Sequence, residues 1–224
     1  MATEIISEAN YLQLHRDARV LESDGHGDKV LLLGDGRIMK LFRFKKLLTG
    51  ARIYPYNRRF ARNRDKLVAK GIPTVSEVRC FKLPSRQRHG VFYQPLPGET
   101  LRRLGMAGRL DTALCARAGR FVADIHAKGI LFRSIHLGNV VLGADGALGL
   151  IDIADLSLQP WPLLKSQRRR NFLHMFRPVE EDRYLGAAQR EALLSGYFSA
   201  CPPRLAANER FRADISRAAL GCPT

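Results

Sequence analysis

Two Asp-Gly pairs near the N-terminus most restrict how this chain can fold. They separate three short apolar runs between Ala18 and Arg43, which read ARVLES, KVLLLG and IMKLFR, with DGHGD and DGR between them. An Asp-Gly pair between apolar runs is a strong hairpin signal, because both residues tolerate the backbone angles of a tight turn. The sequence therefore predicts an antiparallel sheet at the start of the chain.

A helix and two further strands are predicted before residue 95. The basic segment from about Tyr56 to Lys70 predicts a helix that ends at Gly71 and Pro73, a common way for a helix to stop. The apolar runs after it predict strands at Val75–Leu83 and His89–Gln94.

The remainder of the chain predicts a mainly helical region. After PLPGETL, which is expected to start a short helix, the strongest helical pattern runs from Asp111 to Lys128 and ends at Gly129. NVVLGADGALGLIDI then predicts a hairpin, and the chain from Trp161 onward is expected to be mostly helical. These patterns predict a two-lobed α+β layout, with a small β-rich lobe at residues 1–94 and a helical, shortened lobe at residues 95–224. The apolar face of the long helix comprises Leu114, Ala118, Phe121, Val122 and Ile125.

The charge of the chain is strongly positive. Lys and Arg number 37 against 21 Asp and Glu, which gives a net charge of +16 and a pI near 10.4. Such a field favours an anionic partner, which could be a nucleic acid, an acidic membrane surface or a phosphorylated substrate. Two basic clusters predict contact with an anionic surface, although a solvated charged face is the default for each; they comprise Arg43, Lys45, Lys46, Arg52, Arg58, Arg59, Arg62 and Arg64 in the first lobe, and Arg168, Arg169 and Arg170 in the second.

The sequence carries no pattern of secretion, membrane insertion or zinc binding. Its four cysteines are widely spaced, without a C-x-x-C pair or histidines at zinc-ligand spacing. The N-terminus lacks a basic start followed by an apolar core, and no run approaches about 20 apolar residues. These features predict a soluble, cytoplasmic protein in a reducing compartment.

The segment 126–155, HAKGILFRSIHLGNVVLGADGALGLIDIAD, contains the residues most suggestive of chemistry. Asn139 alone could cap a strand of an ordinary hairpin. Asp152 is harder to explain structurally, because a carboxylate in an apolar strand is rarely buried without a partner or a metal. For His126 and His136, a structural hydrogen bond to the loop is the expected role.

This segment resembles the catalytic segment of the protein-kinase-like superfamily, in which small-molecule kinases carry L-H-x-x-G-[IV]-x-H-[GR]-D-L-H-x-x-N followed by a hairpin and [IL]-[IL]-D. Within the superfamily the chain looks most like the lipopolysaccharide kinase family, also called InaA-like or "toluene tolerance" proteins. The resemblance covers about residues 18–200 and is strongest from 89 to 155.

The resemblance implies a two-lobed protein-kinase-like fold that binds ATP and Mg²⁺ between its lobes. Asn139 and Asp152 match the metal-binding positions, and Lys40 matches the lysine that contacts the phosphates. The other implied cofactor-binding residues are Gly25 and Gly27 in the phosphate-covering turn, and Gln94 at the lobe connection.

Two departures from the family pattern affect the expected catalysis. Ser134 stands where the catalytic aspartate is expected, and a serine cannot act as a carboxylate base at neutral pH. The basic helix has no glutamate to pair with Lys40, since its only acid is Asp65. The resemblance therefore places Ser134 or His136 beside the acceptor hydroxyl.

Three functions remain open from the sequence. The first is a phosphotransferase whose anionic acceptor is a phosphorylated lipopolysaccharide core or an inner-leaflet lipid, at the inner face of the inner membrane. The second is a pseudokinase, a binding or regulatory module at the cell envelope, which the missing acids favour. The third is a basic nucleic-acid-binding protein, which rests on charge alone because no nucleic-acid motif is present.

Overall fold

The chain forms two compact units, each with its own core. A computed structural model describes residues 3–43, 55–176 and 184–219. One unit comprises Met1–Ala69 and Thr74–Leu96, and the other comprises Lys70–Pro73 and Pro97–Thr224. The predicted α+β class, with a β-sheet N-terminal region and a helical C-terminal region, is confirmed.

The first unit is built on a six-stranded sheet with strand order β1-β5-β6-β4-β3-β2. β1 runs parallel to β5, and the other neighbours are antiparallel. The predicted hairpins and strands are present, whereas β1 and α1 were not expected from the sequence. The elements are β1 (Thr3–Ile5), α1 (Glu8–Arg16), β2 (Arg19–Asp24), β3 (Gly27–Leu32), β4 (Ile38–Arg43), α2 (Tyr56–Ala69), β5 (Ser76–Leu83) and β6 (Arg88–Gln94).

Alternation along the strands gives this sheet two packed faces. Successive side chains of a strand point to opposite faces, so Met39 faces the buried cluster that includes Tyr11 of α1. Helix α2 packs on the other face, where the Phe60 and Tyr93 rings lie 5.2 Å apart. Asn57 of α2 also donates a hydrogen bond to the Phe81 carbonyl of β5.

The second unit is mainly helical and contains two small sheets. One sheet has the strand order β10-β9-β7, and the other pairs β11 with β8. The predicted long helix and hairpin are both present. The elements are β7 (Glu99–Thr100), α3 (Leu101–Met106), α4 (Thr112–Ala127), β8 (Ile130–Phe132), β9 (Val140–Leu142), β10 (Leu148–Leu150), β11 (Leu156–Leu158), α5 (Lys165–Met175), α6 (Ala187–Ser199), α7 (Pro203–Ala206) and α8 (Glu209–Ala219).

Helices α4 and α6 approach each other closely through two glycines. A Cβ atom on Gly119 of α4 would lie 1.9 Å from the Leu193 carbonyl oxygen of α6. A Cβ atom on Gly196 of α6 would lie 2.0 Å from the Ala116 carbonyl oxygen of α4. The two backbones are therefore in direct contact.

The structure agrees with the sequence on membrane-spanning helices and differs from it on one of the basic clusters. In the described ranges, no helix is long and apolar enough to cross a membrane. Arg168 was expected on a basic surface, but this is wrong, because its side chain is only 1% exposed. Consecutive helical residues point about 100° apart, so a run of three arginines cannot keep all of them on one face. Three residues of the first basic cluster lie outside the described residues: Lys45, Lys46 and Arg52.

Candidate active site

A short loop in the second unit carries the predicted catalytic residues. It follows β8, continues through residues 133–136, and enters β9 through a 3₁₀ turn at Leu137–Asn139. Asn139 Nδ2 donates a 2.8 Å hydrogen bond to the Ser134 carbonyl oxygen, and the Asn139 N–H donates to the His136 carbonyl oxygen. The asparagine side chain therefore closes the loop on itself.

The hairpin that follows this loop brings Asn139 and Asp152 to the same end. Val140 of β9 lies opposite Leu150 of β10. Asn139 comes just before β9 and Asp152 comes just after β10, so both lie at the same end of the hairpin. The Ile151 N–H donates a 3.1 Å hydrogen bond to the Asn139 carbonyl oxygen, which extends the pairing by one residue. The hairpin thus places an amide and a carboxylate at one edge.

The side-chain oxygen of Asn139 is available at this edge. The residue is buried, and its Nδ2 is occupied by the Ser134 carbonyl. No described residue donates a hydrogen bond to its Oδ1. An amide oxygen whose nitrogen is anchored in this way is oriented to accept a ligand such as a cation.

Asp152 lies outside the strand in which the sequence placed it. β10 ends at Leu150, and Asp152 adopts φ 54° and ψ 48°, in the left-handed region, at the start of a 3₁₀ turn. A residue other than glycine pays a conformational cost there, although Asp tolerates it better than most. Such backbone angles cluster at functional sites. The turn explains why this half-buried carboxylate leaves the apolar strand.

His136 is held by its Nδ1 atom. The Gly138 N–H donates to this atom at 3.1 Å, and Arg102 Nη2 of α3 lies 3.4 Å from it. Because Nδ1 accepts these hydrogen bonds, the proton of a neutral imidazole is on Nε2, which then cannot accept another. This geometry favours the loop-bracing role over that of a substitute base.

Ser134 offers only a hydroxyl at the position expected for the base. It is half-buried, and its side chain makes no hydrogen bond with the described residues. Arg102 of α3 brings a cationic group to this loop at His136, which the sequence analysis missed. Its location on α3 could not be connected to His136, 34 residues away, by any local pattern.

Behind the loop lies a buried polar network that the sequence did not predict. His126 of α4 was expected to bond loop carbonyls, but its Nε2 lies 2.9 Å from Asn171 Oδ1 and its Nδ1 lies 3.1 Å from Tyr197 Oη. Asn171 Nδ2 in turn donates to the Phe132 carbonyl oxygen at the start of the loop. The expected hydrogen bond from His126 to loop carbonyls is therefore wrong, because the ring contacts the side chains of Asn171 and Tyr197.

The buried guanidinium of Arg168 completes this network. It donates to the Leu163 carbonyl oxygen at 2.9 Å and to Tyr197 Oη at 3.1 Å. Among the described residues no carboxylate pairs with it. Burial is the main reason that the pKa of His126 falls to about 3, so the imidazole is neutral and the network carries a single positive charge.

Lys40 lies on β4 of the first unit. It shares a face of the strand with Phe42, whose ring contacts Phe60 of α2, and its Nζ lies 5.9 Å from the centre of the Phe42 ring. The only carboxylate of α2, Asp65, is exposed and pairs with Arg64. Helix α2 therefore offers no buried acid for Lys40.

The turn at Gly25 and Gly27 is closed by an acidic side chain. Asp24 Oδ1 accepts the His26 N–H at 2.9 Å, and this bond is the main reason that the pKa of Asp24 is lowered. A carboxylate already occupies the backbone donor that a phosphate would need. The turn at Gly25 and Gly27 therefore does not offer the His26 N–H to a phosphate. Gln94 is a half-buried residue at the end of β6.

The side chains that could ligate a metal are spread over the described residues. Across residues 3–43, 55–176 and 184–219, no three His, Cys, Asp or Glu side chains gather as metal ligands. The described cysteines, Cys80, Cys115 and Cys201, are free thiols and buried. The candidate oxygen donors are therefore those of Asn139 and Asp152, at one end of the β9–β10 hairpin.

Solved structures similar to this chain include two of the bifunctional kinase-methyltransferase WbdD. One has a TM-score of 0.46 and 17% identity over 93% of this chain and 48% of that chain. The other, a co-crystal with a kinase inhibitor, has a TM-score of 0.44 and 18% identity over 82% and 47% of the two chains. The chain thus spans about half the length of the WbdD chains that it matches.

A third similar structure is a divergent kinase that lacks the glycine-rich loop and regulates membrane ultrastructure of the Toxoplasma parasitophorous vacuole. Its TM-score is 0.43 with 16% identity, over 84% of this chain and 64% of that chain. No protein-family profile matches the chain, and no curated protein matches it. Membership of the lipopolysaccharide kinase family therefore stays a prediction.

Proposed function

We propose that this chain is a kinase-like phosphotransferase that binds ATP with Mg²⁺ through Asn139 and Asp152. The observation that supports this most directly is the hairpin, which holds both residues at one end. Asn139 Oδ1 accepts no hydrogen bond from the described residues, and Asp152 leaves its strand in a left-handed turn.

The donor set suits Mg²⁺ bound together with phosphates. Mg²⁺ prefers oxygen ligands and is usually held by one or two carboxylates, with substrate phosphates and water completing its shell. Two protein donors are therefore sufficient, which agrees with the lack of a larger ligand cluster among the described residues. When bound, the ion would neutralise charge on the nucleotide phosphates.

The chain's own residues would position the acceptor. In this proposal Ser134 lies beside the acceptor hydroxyl, and Arg102 supplies positive charge next to the loop. Phosphoryl transfer depends mostly on positioning and charge stabilisation, so a missing carboxylate base lowers the rate without abolishing transfer. A phosphorylated lipopolysaccharide core or an inner-leaflet lipid is the proposed acceptor class, and a role for Lys40 at the phosphates stays a prediction.

A pseudokinase is the second candidate, and a specific observation favours it. The loop carries a serine, Ser134, where the catalytic carboxylate is expected. His136 uses its Nδ1 atom as a hydrogen-bond acceptor. Neither residue can take a proton from an acceptor hydroxyl in this arrangement. The chain would then bind a nucleotide without transferring its phosphoryl group.

Nucleotide binding is tested by thermal unfolding with millimolar ATP and Mg²⁺. A ligand that binds only the native state stabilises it, by about 2.7 kcal/mol at a hundredfold excess over Kd. We expect a rise in Tm for the wild type and its loss in Asp152→Asn and Asn139→Ala. Asp145→Asn is the matched control, because Asp145 is exposed in the turn at the other end of the same hairpin.

Two outcomes would contradict the proposed site. Without any Tm shift in the wild type, the chain does not bind the nucleotide. A shift that is as large in Asp152→Asn as in the wild type would place the nucleotide elsewhere. If ATP binds at this site but no phosphoryl group reaches any supplied core saccharide or lipid, the pseudokinase is the correct candidate.

A further inference from the structure

The segment that joins β11 to α5 exposes large apolar side chains. Trp161 is 59% exposed and Leu164 is 61% exposed. They are three residues apart, so their Cα atoms lie within about 11 Å. Between them, Leu163 is buried and its N–H donates to the His126 carbonyl oxygen. One residue of the segment thus anchors it while its neighbours face outward.

This segment is held firmly in its exposed conformation. A Cβ atom on Gly129 would lie 2.3 Å from the Gln159 carbonyl oxygen and 2.5 Å from the Trp161 carbonyl oxygen, so the backbone packs directly on that glycine. Gln159 and Gln167 exchange two side-chain hydrogen bonds, and Gln167 Oε1 also accepts the Leu164 N–H. The outward position of Trp161 is therefore built into the fold.

Basic side chains follow directly in α5. Lys165 and Arg170 are exposed, and Arg169 is half-buried. An exposed tryptophan and leucine next to lysine and arginine are typical of segments that bind at the interface of a lipid bilayer. The aromatic ring can enter the headgroup region while the cations contact anionic headgroups.

We propose that Trp161 and Leu164, together with Lys165 and Arg169, which lie one turn apart on the same face of α5, form a docking surface for an anionic lipid bilayer. A protein partner fits less well, because a stable protein interface buries about 800 Å² on each side, whereas a tryptophan contributes about 150–250 Å². Membrane insertion needs only a few apolar side chains when charge supports it. The proposal does not depend on phosphoryl transfer or on nucleotide binding.

Trp161 is the only tryptophan in the chain, so its fluorescence reports this surface alone. The full chain is mixed at low salt with vesicles of phosphatidylcholine, or of phosphatidylcholine with phosphatidylglycerol. We expect the phosphatidylglycerol vesicles to shift the emission to the blue, to protect it from iodide, and to quench it when the lipid chains are brominated. Phosphatidylcholine alone should leave the emission unchanged.

Variants separate this surface from general charge attraction. Trp161→Ala, followed by vesicle sedimentation, should lower the partition coefficient about tenfold or more, as expected for the loss of a buried aromatic side chain. Leu164→Ala should reduce both the blue shift and the affinity. Met106→Ala is the apolar control, because Met106 is 64% exposed in the same unit. Lys165→Gln with Arg169→Gln should also weaken binding, and Arg204→Gln with Arg210→Gln is the matched charge control.

The proposal is overturned by any of three results. The first is no binding to phosphatidylglycerol vesicles at low salt. The second is binding with unchanged emission and full iodide access, which would place the contact elsewhere. The third is an equal affinity of Trp161→Ala and the wild type for the phosphatidylglycerol vesicles. RNA or a protein that binds the wild type more tightly and shifts the Trp161 emission would instead be the occupant of this surface.

Discussion

At the scale of single residues, Asn139 and Ser134 of the same loop offer different chemistry. Asn139 is anchored through its nitrogen and presents its oxygen, which suits a binding role. Ser134 contributes a carbonyl that orients Asn139, while its hydroxyl lacks the basicity of a carboxylate. The same short loop therefore presents an oriented amide oxygen and carries no carboxylate at position 134.

A carboxylate introduced at Ser134 should restore proton transfer. Positioned acid–base groups typically contribute about 10²–10⁴-fold, so we expect Ser134→Asp to raise ATP turnover above that of the wild type. The increase should be near the lower end, because α2 offers no buried carboxylate to hold Lys40. Turnover is measured by ADP release with core saccharides or lipids, and Ser134→Ala is the control.

The result distinguishes the two candidate functions. A wild type without turnover that Ser134→Asp does not rescue, despite ATP binding, would establish the pseudokinase. Because His136 braces the loop through Nδ1, any loss of turnover in His136→Ala should come with a matching fall in Tm. A large loss in His136→Ala with an intact Tm would instead identify His136 as a participant in transfer.

At the scale of helices and strands, the loop rests on a network that spans α4, α5 and α6. His126, Asn171 and Tyr197 come from these three helices, and the network ends at the Phe132 carbonyl of β8. Arg168 joins it from α5. Buried polar groups of this kind are costly when one partner is removed, so the network makes the position of the loop depend on all three helices.

This network predicts an acid-dependent loss of stability. Burial lowers the pKa of His126 to about 3, whereas an unfolded histidine titrates near about 6.5. Below about pH 6.5 the unfolded chain binds a proton that the folded chain excludes, so the free energy of unfolding falls by about 1.4 kcal/mol per pH unit down to about pH 3. Urea unfolding, followed by Trp161 emission between pH 7 and pH 4 (roughly the window of this titration), measures the slope.

The variant His126→Gln should lose this part of the slope, even if it is less stable at every pH. His26→Gln is the control, because His26 is exposed in the turn between β2 and β3 and belongs to the other unit. An unchanged slope in His126→Gln would show that other groups cause the acid sensitivity.

At the scale of the whole molecule, the net charge of +16 acts on every polyanion. Long-range attraction of this kind is independent of sequence and is screened by salt. It supports association with nucleic acid as readily as with an anionic membrane. Charge alone therefore cannot identify the physiological partner. The exposed Trp161 distinguishes a membrane from a nucleic acid, because its ring is expected to enter only the membrane.

Binding to double-stranded DNA should accordingly be weak and insensitive to sequence. We expect the affinity to fall about a hundredfold between about 0.05 M and 0.2 M salt, as for a protein that contacts a few phosphates. Fluorescence anisotropy of labelled duplexes measures this, and Trp161→Ala should leave it unchanged. A strong preference for one duplex, retained at high salt, would instead support the nucleic-acid-binding function.

The sequence by itself determined the features that depend on near neighbours. The Asp-Gly turns specified the hairpins, the spacing of Leu114 and Val122 specified α4, and the short hairpin brought Asn139 and Asp152 to one end. Hairpin pairing and helical periodicity follow from local backbone preferences, so they can be predicted from the sequence.

Only the tertiary structure decided which polar groups are buried and what they contact. β1 pairs with β5, about 75 residues away, and His126 meets Tyr197 across 71 residues. Arg168 stands in a run of charges that looks like a surface, yet it is buried because α5 turns that residue toward α6. Burial depends on how distant segments pack against each other, and that information is not contained in any local pattern of the sequence.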